Sequence, residues 1–508
     1  MEGYTGNHVP VLIAIILFFA ISMTIGIMNT KKASKGFLSF MIADKALPWW
    51  AIAGTAYATY AGTITYLAWI GNTGVLGLSA AWQFGVHATG FMMMGFFLVP
   101  ILARMKRVTL AEPLGERYDQ VLRRISSGLS FFALVGNNST QILGLGVLLA
   151  MFSSLNLTQA CITSAVCLVL YVALGGMYGV AYADTFQGIV MVLFTFTTPF
   201  ILLAIVGHGN MAAGFDTVWN ALPTKHLSMV NVSENQLIQW LLIMPFTNLV
   251  RPELYGRIFA AKSPKEGMKG WYIATALVVL TMIPVLIMGL IAKYAVPDFT
   301  GGSDSYSPAM FIAIAPDWLV VFFVLVVVAA AVSTSSSQMM GYSSHYVTDF
   351  HIPLFYKNKT PDEKRLVLVS RLTIVAFTCI GLYWALSWQN QLAIFNFIWT
   401  VMVSGTVMPY VGMFFWPRMT TAGAKASAIG GAGLALLWKF ILLPNGLLPA
   451  AIAGIDPAIP SIATSVGLGI IVSLCTKPEY EKVRNFAKVY QLTKMEKWAA
   501  SHLPAAKE

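Results

Sequence analysis

Long apolar runs dominate this sequence and decide what it can fold into. Each run has about the 20 residues that an α-helix needs to cross a bilayer, and only 10% of the 508 residues are charged. A soluble domain carries roughly 25% charged residues, so a large soluble helical protein is excluded. The chain is predicted to be an all-α polytopic membrane protein with about thirteen transmembrane helices. These predicted spans, numbered 1 to 13 in chain order, are residues 9–28, 47–70, 79–104, 123–153, 158–176, 178–206, 236–259, 269–296, 307–349, 363–387, 391–416, 421–443 and 459–476.

The segments between the spans alternate in positive charge. The segments expected outside the cell, 71–78, 207–235, 297–306 and 444–458, contain one lysine, Lys225. Lys and Arg concentrate in the other segments, as the positive-inside rule requires of cytoplasmic loops. The net charge of +11 then reflects basic loops rather than a nucleic-acid partner. We expect a multi-pass protein of the plasma membrane (the cell inner membrane), with the N-terminus outside and the C-terminus in the cytoplasm. The basic residues expected in the cytoplasm include Lys31, Lys32, Lys35, Lys45, Lys106, Arg107, Arg117, Lys262, Lys265, Lys357, Lys359, Lys364, Arg365, Arg418 and, in the tail, Lys477, Lys482, Arg484, Lys488, Lys494, Lys497 and Lys507.

Spans 2 and 7 carry signs of interrupted helices. Span 2 has small and hydroxyl residues through its middle, and span 7 contains Pro245 and Pro252, each of which removes a backbone hydrogen bond. Broken helices five apart, each opening a five-helix block, are typical of inverted-repeat transporters. The alternative is ordinary close packing of small residues between membrane helices. The predicted units are an N-terminal helix and loop (1–46), two inverted repeats (47–206 with spans 2–6, and 207–416 with spans 7–11), two peripheral helices (417–476) and a cytoplasmic tail (477–508).

Six consecutive polar residues, Ser333 to Gln338, continue the apolar run of span 9. Single hydroxyls in a membrane helix commonly bond to their own backbone, but six in a row face every direction, so some must face a polar interior. Hydroxyls and freed backbone carbonyls are the oxygen ligands that a hard monovalent cation prefers. Carbonyls become free where a helix unwinds, as span 2 is expected to do around Ala58–Gly62. We therefore expect a sodium site between spans 2 and 9.

Ionisable and other polar residues inside other spans are further candidates. Asp184 in span 6 is expected to be functional, because an intramembrane acid is rare; the alternative is a structural pair with a basic residue at the cytoplasmic edge. Arg251 and Glu253 follow the break of span 7 and are expected to hold the unwound region rather than to bind solute. His87 and Gln141 are candidates for lining a polar cavity.

Five segments, in order, resemble the sodium:solute symporter family. They are TLAEPLGERYD (109–119), GGMYGVAYADTFQGIVMV (175–192), RPELYGRIFAAKSPKEGMKG (251–270), AAAVSTSSSQMMGYSSHYVTD (329–349) and WPRMTTAGAKASAIGG (416–431). The resemblance extends over nearly the whole chain. It implies a LeuT-like core of 5+5 inverted repeats with broken spans 2 and 7, and sodium as the coupling ion.

The resemblance also implies ion ligands, position by position. The main sodium would be held by two carbonyls of span 2, one carbonyl of span 9 and two hydroxyls of span 9, which fall on Ala58, Ala61, Ala330, Ser333 and Thr334. An acid that supports exit of the ion falls on Asp184. A second sodium, present in some relatives, would use Asp184, Ser336 and Ser337. The resemblance therefore leaves one or two sodium ions per cycle open.

The solute site departs from the patterns of known subgroups. Sugar-transporting relatives carry a glutamate on span 3, where this chain reads AAWQFGVH, and an Asn, Tyr and Trp group on span 7. Proline-transporting relatives have aromatic residues where this chain has Met244 and Asn248. A small, mixed cavity is expected, which favours an amino acid or a short carboxylate. Its expected lining is Tyr57, Tyr60, Thr63, Gln83, Met244, Thr247 and Asn248.

The function expected from these features is sodium-coupled symport of a small organic solute into the cell by alternating access, with the bilayer as surroundings and a single chain sufficient. One alternative is a proton-coupled symporter, because Asp184 could titrate. Another is a transporter-like sensor, but such proteins usually append a signalling domain, and the tail spans only residues 477–508. An enzyme is not expected, since no cluster has metal-ligand or nucleophile–base spacing.

Overall fold

The computed structural model describes residues 8–28, 36–105, 107–356 and 362–502. Within these ranges the regular secondary structure is helical, apart from one isolated bridge between Leu47 and Ala261. The helices of the spans are His8–Met28, Trp49–Tyr60 with Ile64–Leu76, Ala81–Leu102, Gln120–Phe152, Leu157–Val206 (spans 5 and 6), Glu234–Thr247 with Pro252–Phe259, Pro264–Ala295, Asp317–Phe355, Glu363–Trp388, Gln391–Phe415, Thr421–Leu442 and Ala458–Cys475. Shorter helices outside them are Phe37–Ile42, Glu112–Arg117, Met211–Ala221, Ser303–Ile314, Ala450–Ala453, Tyr480–Tyr490 and Thr493–Ala500. The predicted basic residues Lys31, Lys32, Lys35, Lys106, Lys357, Lys359 and Lys507 lie outside the described ranges.

Ten helices in the described ranges are long and apolar enough to cross a membrane, against about thirteen predicted spans. The difference comes from three spans, 5, 2 and 7, which contain shorter helical pieces. Span 5 is a shorter apolar helix, Leu157–Val172. Span 2 begins with a helix of 12 residues, and span 7 consists of helices of 14 and 8 residues. Each piece falls short of the roughly 20 residues of a continuous crossing. The all-helical, multi-pass architecture is confirmed, and the smaller number of continuous helices follows from the breaks.

The break in span 2 lies at Ala61 and Gly62. The first half ends at Tyr60, and Ala61 leaves the helical region with φ −84° and ψ 64°. The side-chain oxygen of Gln141 in span 4 accepts from the Thr63 amide at 2.9 Å, so this amide does not go unpaired in the protein interior. A Cβ on Gly62 would lie 2.9 Å from both Gln141 Oε1 and Thr334 Oγ1. Glycine therefore allows spans 4 and 9 to approach the break.

Span 7 breaks just before Pro252, as predicted, whereas Pro245 lies inside the first half without ending it. Its first half ends at Thr247, one turn of 3₁₀ helix follows, and Arg251 is extended with φ −77° and ψ 106°. Pro252 then opens the second half, a position that needs no amide donor. The Tyr255 hydroxyl donates to the Leu249 carbonyl at 2.5 Å, which supplies a partner for a carbonyl of the broken segment.

Span 9 differs from its prediction at its start. Residues 307–349 were expected to form one helix, but Ser303–Ile314 is a separate helix and the span itself begins at Asp317. The residue before a proline avoids helical geometry, and Ala315 accordingly is extended before Pro316. The division leaves the hydroxyl run in the long helix.

Span 9 lies at the centre of the molecule. It packs against the first half of span 2, span 4, span 6 and the second half of span 7, and its residues 326–340 are all buried. Spans 5 and 6 meet at a kink at Gly176, whose φ of 54° is in the left-handed region that glycine adopts freely. Spans 12 and 13 pack on each other and on span 11. The polar run is therefore surrounded by protein rather than by lipid.

Candidate functional site

Oxygen atoms from the span 2 break and from span 9 converge on one point. The Ser333 hydroxyl lies 3.0 Å from the Ala58 carbonyl oxygen and 3.2 Å from that of Ala330. The Thr334 hydroxyl lies 3.3 Å from both the Ala58 and Thr59 carbonyl oxygens. A hydroxyl has a single proton to donate, so these two side chains face more acceptors than they can satisfy. The result is a buried group of five oxygens, which is the ligand type of a hard cation.

The carbonyl end of the first half of span 2 adds negative electrostatic potential to this oxygen group. Ala58 and Thr59 belong to the last turn of the first half of span 2, which ends at Tyr60. The carbonyl end of a helix carries a partial negative charge, and it points here at the two hydroxyls of span 9. The structure places Ala61 at the break itself, three residues after Ala58. Thr59, whose carbonyl faces Thr334, was not among the predicted ligands.

Asp184 lies in a second polar group beside the first. Its carboxylate accepts from the Thr55 hydroxyl at 2.7 Å and from the Ser336 hydroxyl at 3.4 Å. The Arg257 guanidinium lies 3.3 Å from the same carboxylate and also donates to the Ser337 hydroxyl. All of these side chains are buried. Asp184, Ser336 and Ser337 are thus brought together, and an arginine stands among them.

Arg257 is the functional candidate that sequence reasoning missed. The structural alternative for Asp184 was a basic partner at the cytoplasmic edge, but the partner belongs to the second half of span 7 and is fully buried. The signal that could have found it is the second arginine of RPELYGRIF, five residues after Pro252 within an apolar span. Arg251 and Glu253, as predicted, sit at the break, and they pair with each other at 2.8 Å. Two arginines and two acids therefore balance in charge around the site.

The hydroxyl run divides among several neighbours. Ser333 and Thr334 face span 2, whereas Ser336 and Ser337 face Asp184 and Arg257. Ser335 instead donates to the Asn138 side chain of span 4. The five adjacent hydroxyl residues thus face different surroundings, as their spacing around a helix requires.

A small cavity of about 10 Å³, with room for about one water molecule, lies at the span 2 break, next to the oxygen group. Thr334 lines both, and the Arg251 guanidinium forms part of the cavity wall. Tyr60, Trp69 and Phe395 surround His87 with ring centroids 5.0–5.8 Å from its own. The lining is Tyr60, Gly62, Ile64, Thr65, Trp69, His87, Asn137, Gln141, Arg251, Thr334 and Phe395. The lining is of mixed polar and aromatic character, but an organic solute could bind here only if the surrounding helices moved apart, because ligand pockets have volumes of roughly 300–1,000 Å³.

Of the side chains predicted to line a solute site, Tyr60 lies in this cavity, as do the candidates His87 and Gln141. The others have protein partners or are packed elsewhere. The Tyr57 hydroxyl lies 3.2 Å from Thr281, Gln83 accepts from Asn72 at 3.0 Å, and Thr247 donates to the Ile243 carbonyl at 2.9 Å. Thr63 contacts Gln141, Asn248 donates to the His87 carbonyl at 2.7 Å, and Met244 is fully buried.

A third polar cluster lies at the C-terminal end of span 9. The buried Asp349 carboxylate accepts from Arg123 at 2.7 Å, from Ser127 at 2.8 Å and from Thr109 at 3.3 Å, and it lies 3.0 Å from the His345 ring nitrogen. These contacts join span 9 to span 4 and to the segment that precedes it. The cluster is separate from the sodium candidates and fastens one end of the helix that carries them.

Comparison with known proteins shows which family and which relatives this chain resembles. The family model described as the sodium:solute symporter family matches residues 40–431. The sodium/pantothenate symporter of Haemophilus influenzae is 22% identical over 85% of this chain and 90% of its own length. The sodium/glucose cotransporter of Vibrio parahaemolyticus is 23% identical over 84% of each chain. The sodium/proline symporter of H. influenzae is 23% identical over 63% of this chain and 64% of its own.

Two solved structures share the fold. The substrate-bound, outward-open structure of a sodium-coupled sialic acid symporter has a TM-score of 0.74 and 18% identity, over 92% of this chain and 98% of its own. The closed structure of Mhp1, a nucleobase-cation-symport-1 family transporter, has a TM-score of 0.53 and 12% identity, over 91% and 98%. The fold is therefore LeuT-like. With the family model extending over most of the chain, the protein belongs to the sodium:solute symporter family, with sodium as its coupling ion.

Proposed function

We propose that this protein imports a small organic solute together with sodium, and that the ion binds to the oxygen group between spans 2 and 9. The ligands would be the Ala58, Thr59 and Ala330 carbonyls and the Ser333 and Thr334 hydroxyls of that group, with the carbonyl of Ala61, at the break itself, as a further predicted ligand. The observation that carries the proposal is the 3.0–3.3 Å convergence of the two hydroxyls on the Ala58 carbonyl. Neutral oxygens at a helix carbonyl end attract a monovalent cation without leaving a buried charge when the ion departs.

Sodium binding and solute binding would be coupled because the oxygen group and the cavity share a residue. Thr334 belongs to the oxygen group and also lines the cavity at the span 2 break. An ion that fixes Thr334 and the end of the first half of span 2 also fixes part of the cavity. Sodium then favours solute binding, and by linkage the solute favours sodium to the same extent.

The driving force is sufficient for accumulation. One sodium crossing about 100 mV supplies roughly 2.3 kcal/mol, and a tenfold sodium gradient adds about 1.4 kcal/mol. Together they could hold a solute gradient of roughly several hundredfold. Asp184, Ser336 and Ser337 are proposed as the exit path of the ion or as a second sodium site. The favoured solutes are an amino acid or a short carboxylate.

The proposed setting is the plasma membrane, with the N-terminus outside, the C-terminus in the cytoplasm and one chain sufficient for transport. The test is uptake into proteoliposomes of labelled amino acids, short carboxylates, pantothenate and sugars under an inward sodium gradient, with potassium as the control. Sodium-dependent accumulation of one compound supports the proposal. Accumulation that ignores sodium and follows a proton gradient would refute it and favour proton-coupled symport.

A further inference from the structure

An apolar groove of about 270 Å³ lies beside the break of span 7, between spans 3, 7 and 11. Its wall includes Leu249 and Val250, which belong to the single 3₁₀ turn that joins the two halves of span 7. The described residues that line the groove carry no charge, and only Tyr410 among them has a polar atom in its side chain apart from the sulfur of Met93. They are Met93, Phe97, Leu98, Phe246, Leu249, Val250, Val407, Tyr410, Val411 and Phe415.

Two polar groups of the groove wall already have partners within the protein. The Tyr410 hydroxyl donates to the Leu110 carbonyl at 2.9 Å, and the Leu249 carbonyl accepts from the Tyr255 hydroxyl at 2.5 Å. An apolar cavity stays dry, because a bound water needs roughly 2–4 polar partners. The groove therefore fits an apolar occupant rather than water.

The outer edge of the groove faces the bilayer. Phe97 of span 3 and Phe415 of span 11 are 56% and 50% exposed, and their ring centroids lie 6.4 Å apart. Both belong to helices that are long and apolar enough to cross the membrane, so these exposed rings contact lipid chains. Leu249 and Val250, in contrast, are buried. The groove thus leads from the lipid-facing surface to the broken turn of span 7.

Positive charge lies near the end of the groove where span 3 ends. Arg104 follows Phe97 by seven residues, roughly 10 Å along a helix axis; it is exposed, and no acid among the described residues pairs with it. The tail helix Tyr480–Tyr490, with three basic residues and one acid, reaches the same end of span 11, where the Phe486 ring lies 6.4 Å from that of Phe414. Long basic side chains at the ends of membrane helices extend to the headgroup level, and basic residues there attract anionic lipids.

We propose that this groove is a binding site for an anionic phospholipid, with one acyl chain packed against the broken turn of span 7 and the phosphate beside Arg104. A lipid chain, rather than another span, then covers Leu249 and Val250 on this side. Because the chain packs against the turn that joins the two halves of span 7, its binding stabilises the folded protein. The inference depends neither on the identity of the solute nor on the sodium site.

The experiment is photolabelling of the full chain from within the bilayer. The protein is reconstituted in phosphatidylcholine vesicles that contain a small fraction of phosphatidylglycerol with a diazirine in one acyl chain, and labelled residues are identified by mass spectrometry after illumination. We expect labelling of the buried residues Leu249 and Val250, several times stronger than that of Leu368, Leu372 and Val375 in span 10, which are exposed but do not line this groove. Labelling of Leu249 and Val250 no stronger than that of span 10 overturns the inference.

A pair of valine variants locates the acyl chain. Val407→Phe fills the groove and should abolish the labelling of Leu249 and Val250, together with the rise in melting temperature that added phosphatidylglycerol produces in detergent. Val375→Phe adds the same ring to the lipid-facing side of span 10 and should retain both effects. Full labelling in a Val407→Phe protein that still unfolds cooperatively overturns the assigned position of the chain.

A pair of arginine variants tests the headgroup, and both alter exposed side chains that the fold does not depend on. Arg104→Gln should reduce labelling by the phosphatidylglycerol probe to the level reached with a phosphatidylcholine probe that carries the same diazirine chain. Arg124→Gln, which removes an exposed arginine at the start of span 4, should leave the preference for phosphatidylglycerol unchanged. Equal labelling by the two probes in the unmodified protein, or equal effects of the two variants, overturns the assignment of the phosphate to Arg104.

Discussion

Replacing Thr334 by alanine tests the proposed sodium site most directly. The change removes one of the hydroxyl ligands and leaves the carbonyls of Ala58 and Thr59, now 3.3 Å from an empty position, without that neighbour. The loss of one charge-assisted contact costs roughly 1.5–3 kcal/mol. Because about 1.4 kcal/mol is a tenfold change, the sodium concentration for half-maximal effect should rise roughly ten- to hundredfold. Ser333→Ala should behave similarly.

The sodium concentration for half-maximal effect can be measured before the solute is identified. Sodium that binds only the folded protein stabilises it by RT ln(1 + [Na⁺]/Kd). The melting temperature is therefore measured at increasing NaCl concentrations, with KCl added to keep the ionic strength constant. The half-maximal concentration from this curve is then compared with that from uptake. Thr334→Ser retains the hydroxyl and should remain close to the unmodified protein.

Ser335→Ala is the matched control, because Ser335 faces Asn138 rather than span 2. It should lower the melting temperature in both salts while leaving the sodium concentration for half-maximal effect nearly unchanged. Equal shifts at Ser333, Thr334 and Ser335 would refute the proposed geometry, and so would a Thr334→Ser variant as impaired as Thr334→Ala.

Four further predictions follow from the surrounding contacts. Arg257→Met leaves the Asp184 carboxylate buried without the guanidinium that lies 3.3 Å from it, and should lower the free energy of unfolding by roughly 3–5 kcal/mol, measured by thermal unfolding. Adding Asp184→Asn should recover part of this loss. If it recovers none, the broken ion pair is not the cause of the lost stability. Gly62→Ala places a Cβ 2.9 Å from Thr334 Oγ1 and should weaken sodium binding in the melting assay, whereas Gly433→Ala, with nothing within 4 Å, should not. Asp349→Asn weakens the contact to Arg123 at 2.7 Å and should lower the melting temperature without altering the sodium dependence; a changed sodium dependence would contradict the separation of the two clusters. Burial raises the pKa of Glu479, but hydrogen bonds from Lys482 and Thr421 outweigh this effect and hold the pKa below its ordinary value. Docking of the tail is therefore stabilised at pH values above the ordinary pKa, and this stabilisation is lost as the pH falls through the lowered pKa. Hydrogen exchange in Tyr480–Tyr490 should speed up below about pH 4 beyond the intrinsic change, and Glu479→Gln should abolish this step.

The sequence by itself determined the features that depend on neighbours along the chain. Apolar runs predicted the membrane helices because each span must satisfy its own backbone within lipid. Pro252 predicted the break of span 7, and the hydroxyl run of span 9 predicted a polar interior, since both effects act within a few residues. The predicted break of span 2, Ala58–Gly62, contains the observed one at Ala61 and Gly62, although Ala58, Thr59 and Tyr60 are still helical.

The tertiary structure alone decided which distant residues meet. Asp184 is paired with Arg257, 73 residues away, and Ser333 reaches Ala58 across 275 residues. Gln83, Thr247 and Asn248 bond to other protein groups and do not line the cavity, whereas Trp69 and Asn137 do. Helical periodicity shows which face a residue shares with its neighbours but not which helix covers that face. The direction of each polar side chain is set by packing between spans, and no local pattern encodes that packing.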